Sequence, residues 1–173
     1  LSDLSNYNRI INQRNKLLKD VYNRNDLLET LEIWDLQLIQ YGNKIIERRK
    51  KFIGQVNDII SEVHKKLTGG KEELKLYYEP GIGNLEFEKA LLKNRERDIR
   101  MKSTSVGPHR DDICFMTNDL DIRKFGSQGQ QRTAALSLKL SEIELVKEII
   151  KDTPILLLDD AVSYTHLRAH ETD

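Results

Sequence analysis

Apolar residues recur at helical spacing from the start of the chain. Leu4, Tyr7, Ile11, Leu18 and Val21 share one face, interrupted by the polar Arg14, and predict a first helix over 4–21. Asn23 to Asn25 read as a turn, and Asp26 with Glu29 resembles a capping box that opens a second helix. Leu31, Leu38, Ile45, Phe52 and Ile59 then repeat at strict seven-residue spacing, with Trp34, Tyr41, Val56 and Val63 in the neighbouring row. Such a helix runs to about residue 67, where Thr68-Gly69-Gly70 ends it. At ~1.5 Å per residue it is roughly 60 Å long, and it is expected to pack along the first helix and project as an antiparallel arm. Arg48 and Gln55 break the second row, which favours a packed hairpin over a dimerising coiled coil.

Beyond the glycines, Leu74-Lys75-Leu76-Tyr77-Tyr78 alternates like a strand and stops at Pro80-Gly81. Residues 85–97 read as one short charged helix. Residues 113–116 and 120–125, joined by Thr117-Asn118-Asp119, read as a β-hairpin. An amphipathic helix is expected over 133–150, with Leu136, Leu140, Ile143 and Val146 or Lys147 along one side. Pro154 then leads into an apolar strand, Ile155 to Leu158. Helices alternating with strands make the fold class α/β.

The 173 residues suit one ordinary domain or two small lobes. Charge balances, 28 Lys+Arg against 28 Asp+Glu, so a polyanion would have to be held by local basic patches. Cys114 is the only cysteine, which excludes an internal disulfide framework and a cysteine-rich zinc site and suits a reducing cytoplasm. No apolar run approaches a membrane span, and no membrane partner is expected.

The chemistry concentrates in Phe125-Gly126-Ser127-Gln128-Gly129-Gln130-Gln131-Arg132-Thr133, a glycine-loosened polar turn that opens a helix. Unpaired N–H groups at a helix start suit phosphate, and Ser127 and Gln130 add neutral donors. One helix later, Ile155-Leu156-Leu157-Leu158 ends in Asp159-Asp160, as a ligand-bearing central strand would. The first carboxylate could hold Mg²⁺ through water and the second could orient an attacking water. No G-x-x-x-x-G-K-[ST] loop occurs in these residues. Glu47-Arg48-Arg49-Lys50-Lys51 is the densest basic cluster, readable as a DNA-facing patch or as a solvated helix face.

With Thr104-Ser105-Val106-Gly107-Pro108-His109-Arg110-Asp111-Asp112-Ile113, Leu138-Lys139-Leu140, Gln13-Arg14-Asn15 and Trp34-Asp35, these motifs resemble the RecF family of ABC-type ATPases, relatives of the SMC proteins. The likeness covers residues 1–163. It implies an ABC-type ATPase head fragment, a partial P-loop NTPase sheet with an antiparallel helical-hairpin arm. The organisation would be a 1–70 arm, a 71–163 head portion and a 164–173 tail unlike the family. It also implies that Ser127, Gln128, Gly129 and Gln130 bind the γ-phosphate of ATP held by the opposite subunit, that Asp159 carries Mg²⁺, and that Asp160 is the catalytic carboxylate. Arg48, Arg49, Lys50 and Lys51 become candidate DNA contacts. The ATP-bound homodimer of such proteins clamps DNA, at duplexes or gap junctions, and helps RecO and RecR load RecA in repair and replication restart.

The family's phosphate-loop lobe is expected to precede Leu1, so no ATPase activity is expected from this chain alone. The stretch Tyr164-Thr165-His166-Leu167-Arg168-Ala169-His170-Glu171-Thr172-Asp173 departs from the family and reads as foreign sequence; His166 and His170 have zinc-pair spacing but no third ligand. His109-Arg110-Asp111-Asp112 is open between a nucleotide or DNA contact, a polar network between lobes, and a charged strand start with Arg110 paired to a carboxylate. A non-enzymatic helical interaction module and another SMC-like ATPase stand as alternatives.

Overall fold

The computed structural model describes residues 2–21, 24, 27–83 and 85–151. Helices α1 (Ser2–Val21) and α2 (Leu28–Thr68) form an antiparallel hairpin, with Asp3 beside Arg48 at one end and Arg14 beside Asp35 further along. The left-handed Gly69, at φ 63°, closes α2 and donates to Lys65 O. The Asp26 capping box and the Asn23 to Asn25 turn involve positions outside the described residues.

The buried row of α2 runs Leu31, Leu38, Ile45, Ile53, Ile60, so the expected seven-residue repeat holds for three positions and then shifts by one. A straight α-helix needs about 7.2 residues for two turns, so a strict heptad drifts off a straight seam by about 20° per repeat. Phe52 is consequently 36% exposed and Ile53 takes its place. The drift matches a helix packed against a globular body, in keeping with the hairpin rather than a coiled coil.

The expected antiparallel hairpin arm forms, and two apolar cores join it to the other described elements. One core joins Tyr7, Ile10, Leu38, Ile45, Phe87, Leu91 and Val106; the other joins Ile53, Val56 and Ile60 to Leu74, Leu76, Ile122, Ala134 and Leu145. Helix α2 runs through both, so its carboxy-terminal half lies inside the body. Strand β1 (Leu74–Glu79) pairs antiparallel with β2 (Asp112–Thr117), and β2 with β3 (Leu120–Asp121), giving the order β1-β2-β3. Asn57 of α2 donates to Leu76 O at 2.8 Å and accepts from Leu76 N at 2.8 Å. One side chain thus occupies the edge of β1 that β2 leaves free, which blunts that edge and fastens α2 to the sheet.

Three further expectations are corrected. The single helix over 85–97 is two, α3 (Phe87–Lys93) and α4 (Arg95–Met101), which meet at Asn94, whose backbone N–H and side-chain amide both donate to Ala90 O. The hairpin's second strand ends at Asp121, whose carboxylate accepts from Arg123 N and starts the short α5 (Ile122–Phe125). Helix α6 (Gln128–Ile150) begins five residues before the expected 133 and buries Ala134, Ser137, Ser141 and Leu145. Small residues let α6 approach α2 closely, and the Ser137 and Ser141 hydroxyls bond back to Thr133 O and Ser137 O. Leu136, Leu140 and Ile143 are therefore only half-buried among the described residues, and Val146 is exposed.

Two glycines of α2 should respond oppositely to a methyl group. A Cβ on Gly42 would lie 2.3 Å from Phe87 Cε1, whereas one on Gly54 meets nothing within 4 Å. Gly42→Ala is expected to cost about 1–3 kcal/mol through overpacking, and Gly54→Ala to stabilise by about 0.5–1 kcal/mol through helix propensity. Urea midpoints of the two variants check the signs.

Candidate functional site

The turn before α6 is built by its own side chains. Ser127 Oγ accepts from Gln130 N at 3.2 Å and Gln130 Oε1 accepts from Ser127 N at 2.9 Å, a reciprocal capping box. Gln131 Nε2 reaches Ile122 O at 3.0 Å and Gly126 O at 3.4 Å, fixing the preceding corner. A Cβ on Gly126 would sit 2.5 Å from Ile122 O, so this glycine serves the turn's own packing. Gly129 differs: its nearest neighbour would be Ser127 Oγ at 3.8 Å, and nothing in the described fold requires a glycine there.

The turn leaves donors uncommitted. The Ser127 hydroxyl accepts from Gln130 N, and no described group takes its own proton; the N–H groups of Gln128 and Gly129 open the helix without described partners. Ser127, Gln128 and Gly129 are exposed and Gln130 is half-buried. One hydroxyl and two amides at the positive end of a 23-residue helix make a surface suited to an anion. Gln130 Nε2 donates to Glu72 Oε1 at 2.9 Å. Asp159 and Asp160, the strand before them and the 164–173 tail lie outside the described residues.

The segment 104–112 is a hub. Tyr7 Oη lies 2.9 Å from His109 Nδ1, and His109 Nε2 3.3 Å from Thr104 O. Arg49 donates to Pro108 O; Asp111 accepts from Tyr78 Oη and, at 2.9 Å, from Gly81 N; Asp112 pairs with Arg123 at 2.6 Å. These contacts join α1, α2, β1 and α5, the network among the three readings open at the sequence level. Arg110 is exposed and forms no ion pair among the described residues, so the paired-arginine reading is corrected. Burial, with the Asp111 hydrogen bond and charge, pushes the Tyr78 phenol up to about 12.

Burial also holds the His109 imidazole below its usual 6.5. The unfolded chain therefore takes up this proton first as pH falls, so the His109 contribution to stability is full above about 6.5 and declines below it. Urea unfolding from pH ~7.5 to ~5.5 should show a smaller loss in His109→Gln than in the parent chain.

Beneath this hub lies a buried charge cluster. Arg14, fully buried, donates to Asp35 at 2.6 Å, Asp98 at 2.7 Å and Thr104 Oγ1 at 2.9 Å. Arg95 holds the other oxygen of Asp35 at 2.9 Å, and Ser105 N and Oγ hold the other oxygen of Asp98 at 2.9 and 2.6 Å. The basic cluster on α2 divides: Arg48 pairs with Asp3 at 2.7 Å and Arg49 is engaged with Pro108 O, while Lys50 and Lys51 are exposed.

A capped polar turn opening a helix that packs on a long hairpin, next to a small antiparallel sheet, fits the partial ABC-type ATPase head that the motifs imply. No family model matches the chain. Among curated proteins it is 58% identical over 165 residues to the DNA replication and repair protein RecF of Lachnospira eligens, covering 94% of this chain and 46% of that protein. The Agathobacter rectalis RecF is 55% identical over 163 residues and that of Clostridium perfringens 43% over 166, each covered to 45%. Two solved structures of the recombination mediator protein RecF in the RecFOR pathway, RecF-ATP and RecF-ATPrS, superpose with TM-score 0.85 at 37% and 35% identity, over 93% and 92% of this chain and 45% of theirs. In sequence and in fold, then, the chain is RecF-like, as its motifs imply, and it spans somewhat under half the length of these relatives.

Glu72 and His64 are the residues about the site that sequence reasoning missed. His64 sits fully buried in line with Ile53, Val56 and Ile60. A lone polar residue inside an apolar stripe was the available signal.

Proposed function

We propose that this chain is the signature-bearing portion of a RecF-like, DNA-binding ATPase in DNA repair and replication. Ser127, Gln128, Gly129 and Gln130 contact the γ-phosphate of ATP held by an opposing subunit, so that ATP joins two heads around DNA. The observation carrying this reading is the Ser127–Gln130 capping box, which leaves one hydroxyl proton and two amides free at an exposed helix start. A glycine at 129 without an internal reason for being one supports it. By position, Asp159 would hold Mg²⁺ and Asp160 would orient the attacking water; what they share with the described site is the chain order alone. DNA in duplex or gap-junction form, RecO and RecR, and through them RecA, are the partners that follow from this reading. Of the basic cluster, Lys50 and Lys51 are the better DNA contacts, since Arg48 and Arg49 already have partners.

Combining the chain with the separately expressed amino-terminal portion of the Lachnospira eligens relative tests this. Duplex binding, followed by fluorescence anisotropy, should require ATP and weaken on Ser127→Ala. Binding equal with and without nucleotide would favour the helical interaction module instead. The 173 residues contain no phosphate loop, so the chain by itself should turn over no ATP; turnover abolished by Asp160→Asn would contradict that.

A further inference from the structure

Glu72 sits three residues beyond the Gly69 cap of α2, its side chain 22% exposed, and both of its oxygens are engaged. Oε1 accepts from Gln130 Nε2 at 2.9 Å, and Oε2 faces His64 Nε2 at 3.3 Å. His64 is fully buried, with Nδ1 2.8 Å from Ser137 Oγ on α6. The contact with Glu72 is attractive only when His64 Nε2 carries a hydrogen. A neutral ring meets that condition when Ser137 directs its single proton to Nδ1; when Ser137 directs it to Thr133 O, Nδ1 must donate as well and the ring has to carry a hydrogen on both nitrogens.

A glutamine amide can fit its pocket either way round, and its neighbours decide which end is oxygen. A carboxylate accepts and never donates when ionised, so Glu72 compels the Gln130 NH₂ to face it and the Gln130 oxygen to face Ser127 N. That oxygen completes the capping box, which in turn sets the Ser127 hydroxyl and the free amides of Gln128 and Gly129. His64 keeps Glu72 from swinging into solvent and secures it to the last turns of α2.

We propose that Glu72, anchored by His64, is a positioning residue for the signature turn, linking the end of the long helix α2 to the groups that meet the nucleotide. The link is geometric: Ser137–His64–Glu72–Gln130–Ser127 is a continuous chain of hydrogen bonds across α6, α2 and the turn. Displacement of α2 against α6 would then loosen the turn, and a ligand seated on the turn would favour one placement of α2. This role rests on the reading of residues 127–130 as nucleotide-contacting.

Amide hydrogen exchange, measured by NMR on the 173-residue chain, tests the link without nucleotide. In Glu72→Ala, exchange at Ser127 and Gln130 should accelerate by about fivefold or more, the equivalent of one ordinary hydrogen bond, while Ser141 and Leu145 change by less than about twofold. No acceleration, or equal acceleration along all of α6, would overturn it. Should Glu72→Ala not fold, Glu72→Gln carries the same test, because its amide can turn either way and no longer dictates that of Gln130. In the ATP-dependent association with the amino-terminal portion, Glu72→Ala should raise the half-saturating ATP concentration by a similar factor. Ser127→Ala separates the two claims. Association indifferent to Ser127→Ala overturns the nucleotide reading, whereas association sensitive to Ser127→Ala and indifferent to Glu72→Ala overturns the positioning role alone.

Discussion

Arg14→Met destabilises the chain by about 3–5 kcal/mol, the expected cost of removing one partner from a buried ion cluster. Arg14 and Asp98 are fully buried and Asp35 is 2% exposed, so water cannot replace the lost guanidinium. Arg95 still holds one oxygen of Asp35, and Ser105 one oxygen of Asp98; the opposite oxygen of each would be stranded. Against a total stability of about 5–15 kcal/mol that loss is a large share, and at the lower end of the range it unfolds a sizeable fraction of the molecules. The carboxylates are the reason, so neutralising them reverses the effect: Arg14→Met combined with Asp35→Asn and Asp98→Asn should regain more than half of the lost stability. Urea denaturation of the three proteins measures this. A cost below about 1 kcal/mol for Arg14→Met would mean the cluster is not an electrostatic lock.

Gly107→Ala comes next, at about 3 kcal/mol or more. Gly107 has φ 128°, a backbone conformation that side-chain-bearing residues rarely adopt. An added Cβ would also lie 2.5 Å from Tyr7 Oη and 2.9 Å from Phe87 Cε2. Neither neighbour can yield readily. Tyr7 is 1% exposed and tied to His109, and Phe87 is already pressed against Gly42. Tyr7→Phe in the Gly107→Ala background removes the nearest atom but not the backbone strain, so it should recover only part of the stability. Full recovery would show that the strain is negligible.

These two sites show what could be read from the chain. Arg14 and Asp35 each interrupt an apolar stripe on neighbouring helices, with opposite signs, and that much is visible in the helical pattern. Asp98 and Thr104 complete the cluster from 84 and 90 positions away, a separation that periodicity cannot bridge. The α2 repeat was legible until the helix's own pitch carried it off the seven-residue grid. The buried side of α6 was not, because Ser137 and Ser141 enter the core by allowing close approach and satisfying their hydroxyls on their own helix, which no count of apolar residues detects. In the hairpin, alternation from Leu120 onward mimicked a strand, although the Asp121 cap before Arg123 was there to stop it. The polar turn at 125–133 was legible as a helix opening, but the capping-box spacing of Ser127 and Gln130, which starts α6 at Gln128 rather than at 133, was overlooked.

The central claim, that this turn meets a nucleotide, is tested most directly by Gly129→Asp. A side chain at 129 fits the described fold, and a carboxylate in the first turn of α6 favours the helix by about 0.3–1 kcal/mol. The same carboxylate would stand where a phosphate is proposed to sit. Association of the chain with the amino-terminal portion of the Lachnospira eligens relative, followed by sedimentation velocity, should occur with ATP, not with ADP, and be lost in Gly129→Asp without loss of stability. Association that persists unchanged in Gly129→Asp, or that proceeds equally in ATP, ADP and no nucleotide, would contradict the account.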